Sequence, residues 1–314
     1  MPAVRVENLV KTYGDGTQAV KGISFNVDDG EFFGFLGPNG AGKSTTIKIL
    51  TTILRKSSGL ANVAGLDIEH DAQKVRKLIG VQMQDTVIDE DLTGRENLML
   101  QGHLQQMHGE ELKERVNELL KVVDLGDAAD KRSAYYSGGM KKRLDLASTL
   151  VHRPKILFLD EPTTGLDPRS RRTMWDIIRE LVADGVTIFL TTQYLDEADR
   201  LADRIAVLDQ GHLVAQGTPG ELKRQIPGSH VRLRFAGDLE LDSAMRILTD
   251  STRDGEEDLI LRVPSDGGAK SVRALLNQLD THSIEVEEFS VHTPDLDDVF
   301  LALTGRTSTK VNAQ

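Results

Sequence analysis

No cysteine occurs in the 314 residues, which excludes disulfides and thiolate metal centres and leaves the redox compartment unmarked by cysteine usage. Also absent is any apolar run approaching the about 18 residues of a membrane-spanning helix. The opening MPAVRVENLV contains no apolar core of signal-peptide length. The expectation is a cytoplasmic chain, peripheral to a membrane only through a partner. Basic residues are in deficit, 38 Lys and Arg against 49 Asp and Glu, for a formal net charge of -11. A general nucleic-acid surface needs clustered cations to neutralise phosphates, so nucleic acid is not expected as a partner. The short basic clusters Lys141 to Arg143 and Arg169 to Arg172 read as solvated helix faces.

At 28% charged and 39% hydrophobic the composition is that of a globular protein. The length suits one large domain, or one plus a smaller one. Gly37 to Thr45 read GPNGAGKST, with Gly37, Gly42, Lys43 and Ser44 in the fixed places of a phosphate-binding loop. Later come Ser137, Gly138 and Gly139, and then Ile156 to Glu161 as ILFLDE. Neither the loop nor the SGG segment recurs, so the chain is read as a single nucleotide-binding unit that hydrolyses ATP.

Alternating apolar positions in Val4 to Val10 and Ile23 to Val27, then the run Phe32 to Leu36, predict an antiparallel β start leading into the loop. A helix is expected over Thr45 to Leu54. Strand, glycine turn and helix N-terminus in series make an anion site, because unpaired N–H groups and the helix dipole aim at the phosphates. From about Asp91 to Val151 the pattern turns helical, with Leu112, Val116, Leu119, Leu120 and Val123 at three- and four-residue spacings. Ile156 to Leu159 and Val186 to Thr191 are short apolar runs typical of buried parallel strands, and a hairpin is expected at Gln210 and Gly211. Turn composition at Ile226, Pro227 and Gly228 marks a boundary. Beyond it His230 to Phe235, Leu259 to Val263 and Ile284 to Val291 read as strands, and Ala269 to Leu279 and Pro294 to Leu303 as helices. Thr293, Pro294 and Asp295 fit a helix start.

Within the loop, Lys43 reaches the β- and γ-phosphates, Ser44 ligates Mg²⁺, and the backbone of Asn39, Gly40, Ala41, Gly42 and Lys43 surrounds phosphate oxygens, with Thr45 following. Asp160 ends an apolar strand, where a carboxylate at the sheet's C-terminal edge holds the Mg²⁺ shell. Glu161 then lies beside the γ-phosphate, where it polarises the attacking water as general base. A simple strand-ending turn before Pro162 is the alternative to this acid pair.

With these motifs in this order, the chain resembles the ATP-binding-cassette (ABC) transporter ATPase subunits from about residue 3 to residue 220. The resemblance implies an α/β fold, a P-loop NTPase core with an antiparallel β subdomain and an inserted helical subdomain. A small C-terminal α/β domain follows. The expected division is 1–226 for the ATPase domain with its helical part at 91–151, 227–306 for the accessory domain, and 307–314 for a disordered tail. Tyr136 to Met140, YSGGM, matches the family's signature loop at Ser137, Gly138 and Gly139. The family implies that this loop caps the nucleotide held by another subunit, so that two copies, or a paired ATPase subunit, sandwich two ATP. Gly165 to Pro168 match the loop that crosses this interface, with Asp167 in it. Gln84 in VQMQD matches the glutamine that senses Mg²⁺ and meets the permease, with Gln82 as the alternative. Tyr13 in LVKTYG matches the aromatic that stacks on adenine, with a strand-edge packing role as its alternative.

One departure is visible. Most members carry a histidine after the next strand, in a TTH context, whereas here Gln193 follows Thr191 and Thr192. A neutral amide still donates a hydrogen bond but without charge assistance, a difference of about 1 kcal/mol, or roughly five- to tenfold in rate. Slowed hydrolysis is expected. The segment TTQYLDEAD and the ending TPDLDDVFLALTG are similar to the daunorubicin-resistance type of drug-exporter ATPase. That narrower resemblance implies export of a hydrophobic drug, lipid or similar compound through a separate membrane permease, and places Thr293 to Gly305 in a domain for assembly or subunit pairing. The alternative is an ATP-dependent regulatory or scaffold protein with little turnover.

Overall fold

The computed structural model describes residues 2–224, 229–254, 259–265, 268–292 and 295–304. Val4, Val6 and Leu9 turn inward from β1 (Val4–Thr12), and β2 (Gln18–Val27) pairs with it antiparallel; the expected period of two holds to Val6 and breaks at a register shift before Leu9, where Asn8 is left-handed at φ 48. All five residues of β3 (Phe32–Leu36) are buried. The next helix, α1 (Lys43–Leu50), starts and stops earlier than Thr45 to Leu54. It starts early because Gly42, at φ 107, forms its N-cap. It stops early because Thr52 is left-handed at φ 64 and the N–H groups of Ile53 and Leu54 both return to Lys48 O.

Two short strands, β4 (Ser58–Val63) and β5 (Leu66–Asp67), complete an antiparallel sheet of order β2-β1-β4-β5. Then α2 (Ala72–Leu78) leads into β6 (Ile79–Gln82). The helical lobe follows as α3 (Gly94–Leu104), α4 (Gly109–Val122) and α5 (Gly138–Leu150). Leu112, Val116, Leu119 and Leu120 are the buried stripe of α4, and Thr93 with Glu96 closes a capping box on α3.

Next come β7 (Ile156–Asp160), α6 (Pro168–Ala183), β8 (Thr187–Thr192) and α7 (Leu195–Leu201). The hairpin β9 (Arg204–Asp209) to β10 (His212–Gly217) turns at Gln210 and Gly211, both at positive φ, and precedes α8 (Pro219–Arg224). The second sheet has the order β10-β9-β3-β8-β7-β6, parallel except for β10. Phenyl rings bind the two sheets: Phe25 of β2 lies 5.6, 5.4 and 5.9 Å from Phe33, Phe35 and Phe189, and Phe158 lies 5.4 Å from Phe189.

The chain divides into Met1–Pro219 and Gly220–Gln314. The second unit runs β11 (His230–Arg234), α9 (Asp238–Ile247), β12 (Thr252–Arg253), β13 (Ile260–Pro264), α10 (Ala269–Thr281), β14 (Glu288–His292) and α11 (Leu296–Thr304). Its sheet is antiparallel, ordered β12-β13-β11-β14. The sequence pattern does not show α9, whose N-cap Gly237 offers no side-chain signal. The strand expected over Ile284 to Val291 begins only at Glu288, where pairing to Arg234 starts. Ile284 instead closes α10, its N–H bonded to Leu279 O, and packs into that unit's core. The expected boundary at Ile226 to Gly228, the helix start at Thr293 and Pro294, and the tail 307–314 lie outside the described residues.

Phe189, fully buried against four other rings, anchors the joint between the sheets. Phe189→Ala is expected to lower unfolding free energy by about 3–5 kcal/mol, read as a drop in the urea midpoint followed by circular dichroism.

Candidate nucleotide site

Register builds the site. Leu36 pairs with Thr192, and Asp160 with Thr191, so Gly37, Glu161 and Gln193 each follow the ends of adjacent parallel strands. In such sheets ligands bind outside the carboxyl ends of the strands. Gly37 N–H donates to Thr192 O at 3.3 Å, and Glu161 N–H to Thr191 O at 3.1 Å.

The loop needs its glycines. A Cβ on Gly37 would lie 2.3 Å from Leu208 O, and one on Gly42 would lie 2.5 Å from Ala19 O. Asn39 and Gly40 form an exposed rim, while Ala41 is buried and its carbonyl accepts from Gly211 N–H at 3.0 Å. Lys43, nearly buried, folds its ammonium against Gly37 O at 2.7 Å, Pro38 O at 3.2 Å and Glu161 Oε1 at 3.1 Å. The cation and the proposed base therefore face one space. Glu161 reaches it from a left-handed backbone, φ 50, a conformation that costs of order 1 kcal/mol for a non-glycine residue and collects at functional sites.

Two oxygen ligands converge beside it: Ser44 Oγ donates to Asp160 Oδ1 at 3.1 Å, and Thr191 Oγ1 donates to the same oxygen at 2.5 Å. Among the described residues no group of three or more His, Cys, Asp or Glu could hold a metal. A divalent ion at Ser44 and Asp160 would draw its other ligands from phosphate and water, the habit of Mg²⁺. The hydroxyl, the carboxylate and the glycine cradle thus suit Mg²⁺ with a nucleotide. Tyr13, 38% exposed, sits at the loop's flank, its hydroxyl 3.2 Å from Thr45 Oγ1 and Lys11 Nζ 5.4 Å from its ring centre.

Gln193 is half-buried directly after β8, and its side-chain amide makes no hydrogen bond among the described residues. The two glutamines at the end of β6 differ in kind. Gln82 is buried, its Nε2 donating to Lys142 O and Asp145 Oδ2, each at 3.0 Å. Gln84 is exposed beyond the same sheet edge, and its carbonyl accepts from Lys142 Nζ. Burial pushes the Asp145 carboxyl up from its ordinary value, opposed by Gln82 and Val87 N–H. Lys141 to Arg143 are not the solvated face expected: Lys141 pairs with Glu90, Lys142 holds Gln84, and Arg143 pairs with Asp124 at 3.0 Å. These partners come from the loop after β6, 51 and 58 positions away, and from the turn after α4, 19 positions away.

Ser137 caps α5 by accepting Met140 N–H at 3.2 Å, and Ser137 and Gly138 are exposed. A Cβ on Gly139 would lie 2.5 Å from Ser170 Oγ, so this glycine lets α5 pack on α6. Asp167 is exposed and caps α6, accepting Arg169 N–H, Ser170 N–H and Ser170 Oγ–H, which holds its carboxyl below its ordinary value, the Ser170 hydroxyl acting most strongly. Two side chains that the sequence pattern did not single out touch the acid pair, Thr191 on Asp160 and Thr164 Oγ1 donating to Glu161 Oε2 at 3.3 Å, while Thr163 in the same turn donates to Glu197 instead. Thr163 and Thr164 follow Glu161 within three residues, a local signal, whereas Thr191 reaches Asp160 from 31 positions away.

Residues 20–164 match the ABC transporter family, and residues 217–304 match the C-terminal domain of DrrA1-3-like ATP-binding proteins. The chain is 48% identical to the daunorubicin/doxorubicin resistance ATP-binding protein DrrA of Streptomyces peucetius, over 96% of this chain and 92% of that one. Among solved structures it is similar to CbiO1 from Clostridium perfringens, part of the ABC transporter complex CbiONQ. That match has a TM-score of 0.67 and 33% identity over 71% of this chain and 91% of the other. It is also similar to the ATP-binding cassette MJ0796, solved as a dimer in a post-hydrolysis state with ADP and Pi. There the TM-score is 0.63 and the identity 28%, over 68% and 98% of the two chains.

Gly42→Ala should strain the loop and push α1 away, weakening nucleotide binding by about tenfold or more, the equivalent of 1–3 kcal/mol. Gly126→Ala, where a Cβ meets nothing within 4 Å, should leave it unchanged. Titration with a fluorescent ATP analogue compares the two.

Proposed function

The chain belongs to the ABC transporter family as an ATP-binding subunit and is an ATPase, and from that premise we propose how it works. It pairs head to tail with a second ATPase subunit around two Mg-ATP and drives a separate membrane permease that exports a hydrophobic drug, lipid or similar compound. One observation carries this reading. Lys43, Ser44, Asp160 and Glu161 share hydrogen bonds and an ion pair at one sheet edge, while Ser137 and Gly138 stand exposed on the helical lobe with the Ser137 hydroxyl turned to its own helix. A helix N-terminus that exposes a serine and a glycine is an anion-binding surface, and a two-fold pair would set each such turn over the other copy's nucleotide. That the similar cassette is solved as a dimer bound to ADP and Pi supports pairing.

In this site Tyr13 stacks on the base, and the N–H groups of Asn39 to Lys43 surround phosphate oxygens. Ser44 and Asp160 hold Mg²⁺, with Gln84 sensing it from the end of β6. The metal supplies charge neutralisation of the phosphates. Lys43 steadies the β- and γ-phosphates, and Glu161 takes a proton from the attacking water. Gln193 donates an amide N–H to the γ-phosphate without adding charge, so turnover is slower than with an imidazolium.

A groove of about 780 Å³ between the sheet edge and the helical lobe supports a membrane partner. Val87, Leu100 and Leu104 line it and are 86%, 46% and 70% exposed, and such contiguous apolar surface marks an interaction site. Among the described residues no helix is long and apolar enough to cross a membrane, so the partner brings the spans. We take residues 1–226 as the nucleotide-binding domain and 227–306 as the accessory domain for assembly or subunit pairing.

Steady-state ATP hydrolysis should rise faster than linearly with protein concentration, and Glu161→Gln should lower it by about two to four orders of magnitude. Binding without hydrolysis, with or without the membrane partner, would instead favour a regulatory or scaffold role. Leu104→Asp is expected to abolish co-extraction of the permease in detergent while leaving nucleotide affinity within twofold; retained co-extraction would remove the groove from the interface.

A further inference from the structure

Glu197 has no part in the chemistry above, yet it is completely buried. Its Oε1 accepts two hydrogen bonds, from Thr163 Oγ1 at 2.9 Å and from Trp175 Nε1 at 2.8 Å. Burial pushes its carboxyl above the usual carboxylate range, opposed by Thr192, Trp175 and Thr163. Replacing buried ionisable groups with well-packed apolar ones is often neutral or stabilising, so a carboxyl here is not what packing alone selects.

Its partners define what it does. Thr163 follows Glu161 by two residues, in the turn closed by Thr164 N–H to Glu161 O and Leu166 N–H to Thr163 O, both 3.2 Å. Trp175 belongs to α6, the helix capped by Asp167. Glu197 itself is four residues beyond Gln193, in the first turn of α7. One oxygen therefore sets the spacing between the turn behind the base, the helix of the interface loop and the helix that continues from the γ-phosphate glutamine.

Further contacts extend the joint along the same two helices. The Arg171 guanidinium lies 4.7 Å from the Tyr194 ring centre, that of Arg200 lies 5.6 Å from the Trp175 ring centre, and Arg179 Nη2 donates to Arg200 O at 3.1 Å. Positions 171, 175 and 179 recur every four residues and so share one face of α6. At the other end of that helix, Ser170 touches Gly139 of the SGG turn and donates to Asp167 at 2.6 Å.

We propose that Glu197 is a positioning residue for ATP hydrolysis: it clamps α6 to α7 and to the Glu161–Thr163 turn, so that closure at the SGG and Asp167 surfaces brings Glu161 and Gln193 into place together. This rests on the dimeric ATPase reading above. Coupling of this kind is a free energy shared between surfaces, and it is measured by whether substitutions at the two ends add.

The test uses Trp175→Phe, which keeps the ring and removes only the donor, together with Thr163→Val and Glu197→Gln, in the purified chain or with its co-extracted membrane partner if hydrolysis requires it. Trp175→Phe and Thr163→Val should each lower kcat by about tenfold, the effect of losing one hydrogen bond to a charged group, with KM for ATP within twofold. Glu197→Gln, which keeps the accepting oxygen, should retain most of kcat. In combination with Gln193→Ala, Trp175→Phe should cost less than it does alone. Unchanged kcat in Trp175→Phe and Thr163→Val, or losses that simply multiply with Gln193→Ala, would make Glu197 a packing residue only. Glu161→Gln and Lys43→Ala run alongside: if hydrolysis and binding survive both, the site reading itself is wrong, and this proposal goes with it.

Discussion

Parallel pairing of β3, β8 and β7 sets the positions on which the rest of the structure depends. The register that places Phe33 beside Phe189 and Phe189 beside Phe158 inside the sheet also places Leu36 beside Thr192 and Asp160 beside Thr191 at its end. Apolar packing in mid-strand and polar chemistry at the strand ends are thus one constraint. A slip of one residue would turn every side chain of a strand to the opposite face, turning Asp160 away from Ser44 and moving a phenyl ring out of the cluster. The rings, with centroids 5.4 to 5.5 Å apart in the central row, therefore hold a site that none of them touches.

The parts of the site legible from the sequence are those that the backbone enforces locally. The loop from Gly37 to Ser44 needs glycine where carbonyls of Leu208 and Ala19 approach, and those needs appear as spacing within a few residues. Asp160 is legible because it ends an unbroken apolar run. What stayed hidden depends on pairs of residues far apart in the chain. Thr191 reaches Asp160 across 31 positions, Thr163 reaches Glu197 across 34, and Trp175 reaches Glu197 across 22. Gln82 and Gln84 look alike in a string of letters; only the inward register of β6 buries the first against Asp145 and leaves the second exposed. In the second unit, Ile284 is apolar because it closes a helix and fills a core, a demand indistinguishable by pattern from that of a strand.

Two kinds of surface emerge from this framework. The phosphate loop is backed by the sheet and held by buried hydrogen bonds, which suits a group that must be positioned within tenths of an ångström. The SGG turn and Asp167 sit at helix starts, and the apolar groove lies between the helical lobe and the sheet edge. Helices can shift as rigid pieces on a fixed sheet, so on the proposed reading chemistry and communication fall to different layers of one fold. Gly139 and Ser170 show how closely two of those helices, α5 and α6, are fitted: there is no room for even a methyl group between them.

Trp175 is the only tryptophan in the chain. It is nearly buried, with its indole N–H on a carboxylate and a guanidinium over its face. The emission of an indole responds to the charges around its ring, so the unmodified protein carries an optical reporter at the seam between α6 and α7. A change in its emission reports on that one seam, free of signal from any other indole.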